Sequence, residues 1–198
     1  IELIETKEYY DNIAALLAAG PQEDESIQRA LKNPVLVTYF YDNYGAIEVF
    51  VEDETGALRL SSGYDPFETE LAIGDLISGV SGSLNLRDYA GAPVLNCYDP
   101  LTYMPIDLVV ESHDNEVVPT EVTIAELVAD YEENASVSLS QWANRLVVVK
   151  DVTSVISEEN ENYGYLVQNE VKLDYSVYQW NESAYETYDR MNITGIVD

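Results

Sequence analysis

The chain has 198 residues, 46% of them hydrophobic, enough for one large domain or two small ones with real cores. Its 37 acids against 9 bases give a formal net charge of −28, which repels phosphate backbones and anionic lipid until salt screens it. Plentiful Tyr, Val, Ile and Leu exclude a disordered chain, and no apolar run reaches the roughly 20 residues of a membrane span.

The one cysteine, Cys97, excludes an intrachain disulfide or a zinc knuckle and reads as a small half-buried residue beside a strand. The chain begins at Ile1 with no charged-then-apolar leader, so it reads as a mature chain whose targeting segment has been removed. Asn134, Asn181 and Asn192 each open a glycosylation triplet, a frequent chance match in an Asn- and Ser-rich sequence.

Residues 1–33 carry a helical pattern. Ile13, Leu16 and Leu17 form a stripe with Tyr9 one turn earlier, and Thr6 or Asn12 serves as N-cap. Gly20-Pro21 ends this helix. A second helix is expected from Asp24 to Lys32, with acids first and Arg29 and Lys32 last, as the helix dipole prefers.

Five strands are then expected. The first is Val35 to Tyr41, rich in β-branched and aromatic residues. The second, Ala46 to Asp53, sets Ile47, Val49 and Val51 against Glu48, Phe50 and Glu52. Ala57 to Leu60 follows the Gly56 turn and completes a meander. Gly74 to Gly82 reads as one strand with glycine bends, and Ala92 to Asn96 as the fifth. Residues 98–122 form a Pro-containing connector, with short edge pairing expected at Asp107 to Val110 and at Val117-Val118.

The pattern then restarts. Thr123 and Glu126 form a capping box before the stripe Ile124, Leu127, Val128 and Tyr131. Ile13 to Ala18 matches Ile124 to Ala129, and Val35-Leu36-Val37 matches Leu146-Val147-Val148, both displaced by 111 residues. Val49 to Glu54 matches Tyr165 to Glu170, displaced by 116, and Asp75 to Gly82 matches Asp189 to Gly195. One internal duplication accounts for all four. Nothing after Asp198 corresponds to Ala92 to Asn96. The second copy is therefore expected to be truncated or open, unless Ile1 to Glu5 or part of the connector supplies its last strand.

A five-stranded, partly open barrel with glycine bends is the OB-fold plan. The succession Phe50 to Gly56, Gly74 to Ile77 and Ser81 to Leu84, with the helix start Val122 to Leu127, resembles OB-fold-like domains. These occur in tandem in secreted and lipid-anchored surface proteins of gut bacteria. The fold class expected is therefore mainly β with flanking helices. It comprises two tandem OB-fold-like five-stranded Greek-key barrels, 1–118 and 119–198, each preceded by an α-helix. The resemblance implies an extracellular or cell-envelope setting, lipid-anchored through the removed segment, and no established activity. The second copy departs from the pattern: Glu170-Val171 stands where Thr55-Gly56 would, and Tyr188 where Gly74 would.

No arrangement of residues sets up catalysis. Asp53, Asp75 and Asp189 are available to a metal centre, but among 37 acids coincidence is the default. Asp53 and Asp75 are expected to accept N–H bonds from the turns that follow them. His113, the single histidine, sits in an acidic connector loop with no partner for nucleophilic chemistry. The acid-rich loops Glu158 to Glu161 and Asp53-Glu54 offer oxygen ligands for weakly bound calcium; no other cofactor is expected.

The informative polar feature is aromatic: 16 tyrosines, with Trp142 and Trp180. Tyr39, Tyr41, Tyr44, Phe50 and Tyr89, with Arg59, fall where OB-folds bind ligands. Such rings stack sugars or bases, or simply cover a twisted barrel with their hydroxyls in water. Few bases accompany them: Arg59 and Arg87 in the first copy, Arg145 and Lys150 in the second. The reading is a non-catalytic extracellular binding or spacer module for a glycan or a partner protein. The alternative is a single-stranded nucleic-acid binder.

Overall fold

The computed structural model describes residues 6–20, 27–43, 46–86, 92–134, 140–156, 163–176 and 188–197. The protein is mainly β and divides into two compact units. The first comprises Ile1–Val118, Ser136–Arg145 and Val197–Asp198; the second comprises Pro119–Ala135 and Leu146–Ile196.

In the first unit β1, Thr6–Tyr10, runs parallel to β2, Ile27–Leu31. Between them lies α1, Ile13–Ala18, with Asn12 as its N-cap accepting from the Ala15 N–H at 2.8 Å. β2 corrects the helix expected from Asp24 to Lys32. Its residues are buried in succession rather than on a stripe, Gln28 and Arg29 included. Arg29 does complement a helix end, though not its own. Its guanidinium donates to the carbonyls of Gly20 and Ala19, just past α1. Tertiary partners on both sides of β2 outweigh a weak helical propensity.

β3, Val35–Asn43, β4, Ala46–Glu52, and β5, Ala57–Ser61, form the expected antiparallel meander. The strand expected from Gly74 to Gly82 is two strands, β6, Leu76–Ser78, and β7, Ser81–Leu86. Gly79 separates them at φ +80°, and a Cβ there would stand 3.0 Å from the Asp107 carbonyl. β6 pairs antiparallel with β3. β7 pairs antiparallel with β8, Pro93–Asn96, which itself lies parallel to β5. The expected pairing near Asp107 to Val110 is β9, Val109–Ser112, on the outer side of β6. The nine strands run β1-β2-β7-β8-β5-β4-β3-β6-β9 in a curled half-barrel. Because β6 and β7 are consecutive in the chain, the path folds back on itself through Gly79. Val35, Val37, Val49, Val51, Leu58, Leu60, Ile77 and Leu95 fill the core, with Ile13 and Leu16 of α1 packed onto it.

The second unit is smaller. β10, Thr120–Glu121, precedes α2, Ile124–Asn134; Val117-Val118 forms no strand. The capping box is made as expected: Thr123 Oγ1 accepts from the Glu126 N–H, and Glu126 accepts from the Thr123 N–H at 2.7 Å. β11, Leu146–Ile156, β12, Tyr163–Gln168, and β13, Val171–Ser176, form a second meander, and β14, Tyr188–Ile196, pairs antiparallel with β11. β10 lies parallel to β11. Asn169 and Glu170, at φ 49° and 70°, form the tight β12–β13 turn.

Candidate binding face

The outer face of the first unit's meander is set by a bulge. Val37 pairs with Val51 in the core register, but the next pair is Tyr39 with Phe50, so Thr38 is the extra residue. Without it Tyr39 would share Val37's face; with it, Tyr39 and Tyr41 join Phe50 on the opposite one. Thr38 is itself buried, and its hydroxyl donates to the Phe50 carbonyl.

Phe50 is the hub of that face. The Tyr39 and Tyr41 rings each lie 6.2 Å from it, centroid to centroid. On β5, opposite Phe50, the Arg59 guanidinium carbon sits 5.9 Å from the ring centre. Arg59 Nε is 3.6 Å from Glu48 Oε2, and the Ser61 hydroxyl donates to Glu48 Oε1. The structure therefore brings together Tyr39, Tyr41, Phe50 and Arg59. Tyr44 and Tyr89 lie outside the described residues.

Burial divides the group. Arg59 is 0% exposed and Glu48 and Phe50 2% each, while Tyr39 and Tyr41 are half-buried. Alternation in β4 would put Glu48 and Phe50 in water; instead both faces of that strand are covered. Phe50 and Arg59 form a floor, and the two tyrosines are the rings that reach solvent. At the edge of the same face Arg145 pairs with Glu52 at 3.3 Å.

No known protein family, curated protein or solved structure matches this chain.

The other candidates resolve into turn chemistry. Asp53 Oδ1 accepts from Thr55 and Gly56, as the sequence leads one to expect, and Oδ2 accepts from the Ile13 N–H at the start of α1. Both oxygens are thus engaged in turn and helix-start hydrogen bonds. The Glu158 to Glu161 loop lies outside the described residues. Asp75 differs from expectation: its bond comes from the preceding Ala72 N–H, and its other oxygen meets His113 Nδ1 at 2.7 Å. His113 is otherwise exposed, and among the described residues no three His, Cys, Asp or Glu converge on a metal position. Burial, with the Glu48 charge second, pushes the Cys97 thiol far above its ordinary pKa, so it is no nucleophile.

A second aromatic group, Tyr64, Tyr98 and Tyr103, meets on two loops of the first unit. Strand periodicity gives no reason to join these three. The only sequence signal is Asp99-Pro100, a turn start with tyrosines on either side.

Proposed function

We propose that this chain is a non-catalytic binding or spacer module of a bacterial surface, made of two OB-fold-like units, whose ligand is a glycan or a partner protein. The order of pairing supports the fold reading. β3, β4, β5, β8 and the split pair β6–β7 stand where the five strands of an OB barrel stand, first with fourth, third parallel with fifth. The surface setting rests on the resemblance of the sequence.

One observation carries the functional reading: Tyr39 and Tyr41 stand half-exposed over a buried Phe50–Arg59–Glu48 floor. Rings whose positions are fixed from beneath lose little freedom when a ligand stacks on them. The charges weigh against single-stranded nucleic acid. Arg59 is buried beside Glu48, Arg145 is paired with Glu52, and Lys150 with Glu121. A phosphate chain needs cations along its path.

A glycan array and pull-downs with envelope proteins test the reading, using the wild-type chain, Tyr39→Ala and Tyr41→Ala. Retention that falls roughly tenfold in either variant supports it. Tight, salt-sensitive oligonucleotide binding would overturn it in favour of the nucleic-acid alternative.

A further inference from the structure

The loop tyrosines form a separate platform. Tyr103 is central: its ring is 6.4 Å from Tyr64 and 5.9 Å from Tyr98, tilted 59° and 32° to them. Tyr64 is 83% exposed and Tyr103 54%, with Leu101 and Met104 exposed beside them.

The platform is held rigidly. Asp99 Oδ1 accepts from the Leu101 and Thr102 N–H groups at 2.8 and 2.7 Å. The Tyr103 N–H donates to the Asp99 carbonyl, and the Asp99 N–H to the Met104 carbonyl. Tyr98 and Pro105 close the base with an isolated bridge. These bonds hold Tyr103 at φ 59°, a left-handed conformation that a tyrosine rarely adopts. Strain of this kind is kept where the surroundings dictate it, and it concentrates at ligand clamps. Beneath Tyr98 lies Gly63, at φ +83°; a Cβ there would stand 2.9 Å from the ring, so the tyrosine rests directly on the backbone.

We infer that Tyr64, Tyr98 and Tyr103 form a carbohydrate-stacking site for a neutral oligosaccharide. Exposed Tyr64 and Tyr103, with Tyr98 against Tyr103, offer aromatic surface for the C–H sides of sugars. The adjoining polar groups are acceptors or neutral: exposed Asp65 and Thr102, and half-exposed Asp99. Carboxylates accept from sugar hydroxyls and repel uronates, sulfated glycans and phosphates. Aromatic area with hydroxyl tips also suits a wet, polar ligand. The inference rests on the binding-module reading, and it adds a second contact surface, on loops, to the Tyr39–Tyr41 face.

The test is titration of the full chain with neutral gluco-, manno-, galacto- and xylo-oligosaccharides, followed by calorimetry and tyrosine-ring NMR. Tyr64→Ala is the principal variant, because a side chain 83% exposed can be removed without disturbing the fold. Tyr103→Gly removes the central ring and relieves the backbone; Tyr131→Ala, an exposed tyrosine outside both aromatic groups, is the comparison, and Tyr41→Ala reports on the other face. The expected result is roughly tenfold weaker binding in Tyr64→Ala, a larger loss in Tyr103→Gly, and none in Tyr131→Ala. Binding that Tyr41→Ala weakens and Tyr64→Ala does not would overturn the platform and leave the module reading intact. No binding by any neutral oligosaccharide also overturns it, and a protein captured through Tyr64 and Tyr103 would assign the surface to a partner instead.

Discussion

The Arg59–Glu48 pair allows a quantitative test of what supports the aromatic face. Arg59 is fully buried and Glu48 nearly so, with Nε and Oε2 3.6 Å apart. At that distance, with an effective dielectric of about 20, two unit charges attract by about 5 kcal/mol. Arg59→Met keeps much of the side-chain volume and leaves the Glu48 carboxylate buried without its cation. The expected loss is about 3–5 kcal/mol. For a chain of this size that lowers Tm by roughly 6–20 °C. The double variant Arg59→Met/Glu48→Met removes both charges together. It should recover most of the loss, since a well-packed apolar substitute for a buried pair is often neutral or stabilising by about 1–4 kcal/mol. Thermal unfolding followed by near-UV circular dichroism reads both. A single variant costing under about 1 kcal/mol, or a double variant no better than the single, would show that water or another group compensates the charge. The floor beneath Phe50 would then owe nothing to the pair.

Three further outcomes are expected. Gly82→Ala should prevent folding or cost about 3 kcal/mol or more, because its Cβ would stand 2.2 Å from the Asn96 carbonyl oxygen; Gly195→Ala, with no described atom within 4 Å, should be neutral or slightly stabilising in urea unfolding. Glu170→Gly should stabilise the second unit by about 1 kcal/mol, since Glu170 holds φ 70° in a turn that prefers glycine; an unchanged or lower urea midpoint would contradict the strain. Asp99 has its pKa lowered by the Thr102 and then the Leu101 N–H, so its charged form supports the loop above the ordinary Asp range. That support is lost as pH falls through the depressed value. Asp99→Asn should therefore remove the low-pH step in the Leu101 and Thr102 amide shifts.

The sequence was most legible where local chemistry and tertiary packing agree. Val49 and Val51 alternate as a core strand should, and Thr123 with Glu126 makes its capping box within four residues. It was least legible where a distant partner decides. Arg29 reads as the end of its own helix but serves the carbonyls after α1, which only folding brings near. Gly79 marks a bend, yet nothing local says that the halves on either side pair with different strands. At the face, the aromatic run was visible, but Tyr39's side of the sheet depends on the bulge at Thr38. Glu48 looks solvent-facing by alternation, and its burial depends on what covers that side of the sheet. The loop platform needs two segments to meet, and no periodicity reports that.

The proposed duplication gains its best support from details that function does not require. In each unit a three-strand meander has a fourth strand antiparallel to its first: β6 with β3, and β14 with β11. In each, the end of the second strand or the turn after it sends a side-chain acceptor to the first N–H of the preceding helix, Asp53 to Ile13 and Gln168 to Ile124. The two acceptors occupy neighbouring, not identical, positions in the repeat, because an orphan N–H requires an acceptor and not a particular residue. The glycines are more telling. Gly82 is needed because β8 presses its backbone against β7, and among the described residues β14 has no such neighbour, so Gly195 meets nothing. Leu173, Met191 and Ile193 on β13 and β14 are correspondingly half-exposed, where Leu84, Val94 and Leu95 are buried. A glycine whose Cβ position meets no described atom, aligned in sequence with one that has no room for a side chain, is a match that the proposed duplication predicts and packing alone does not.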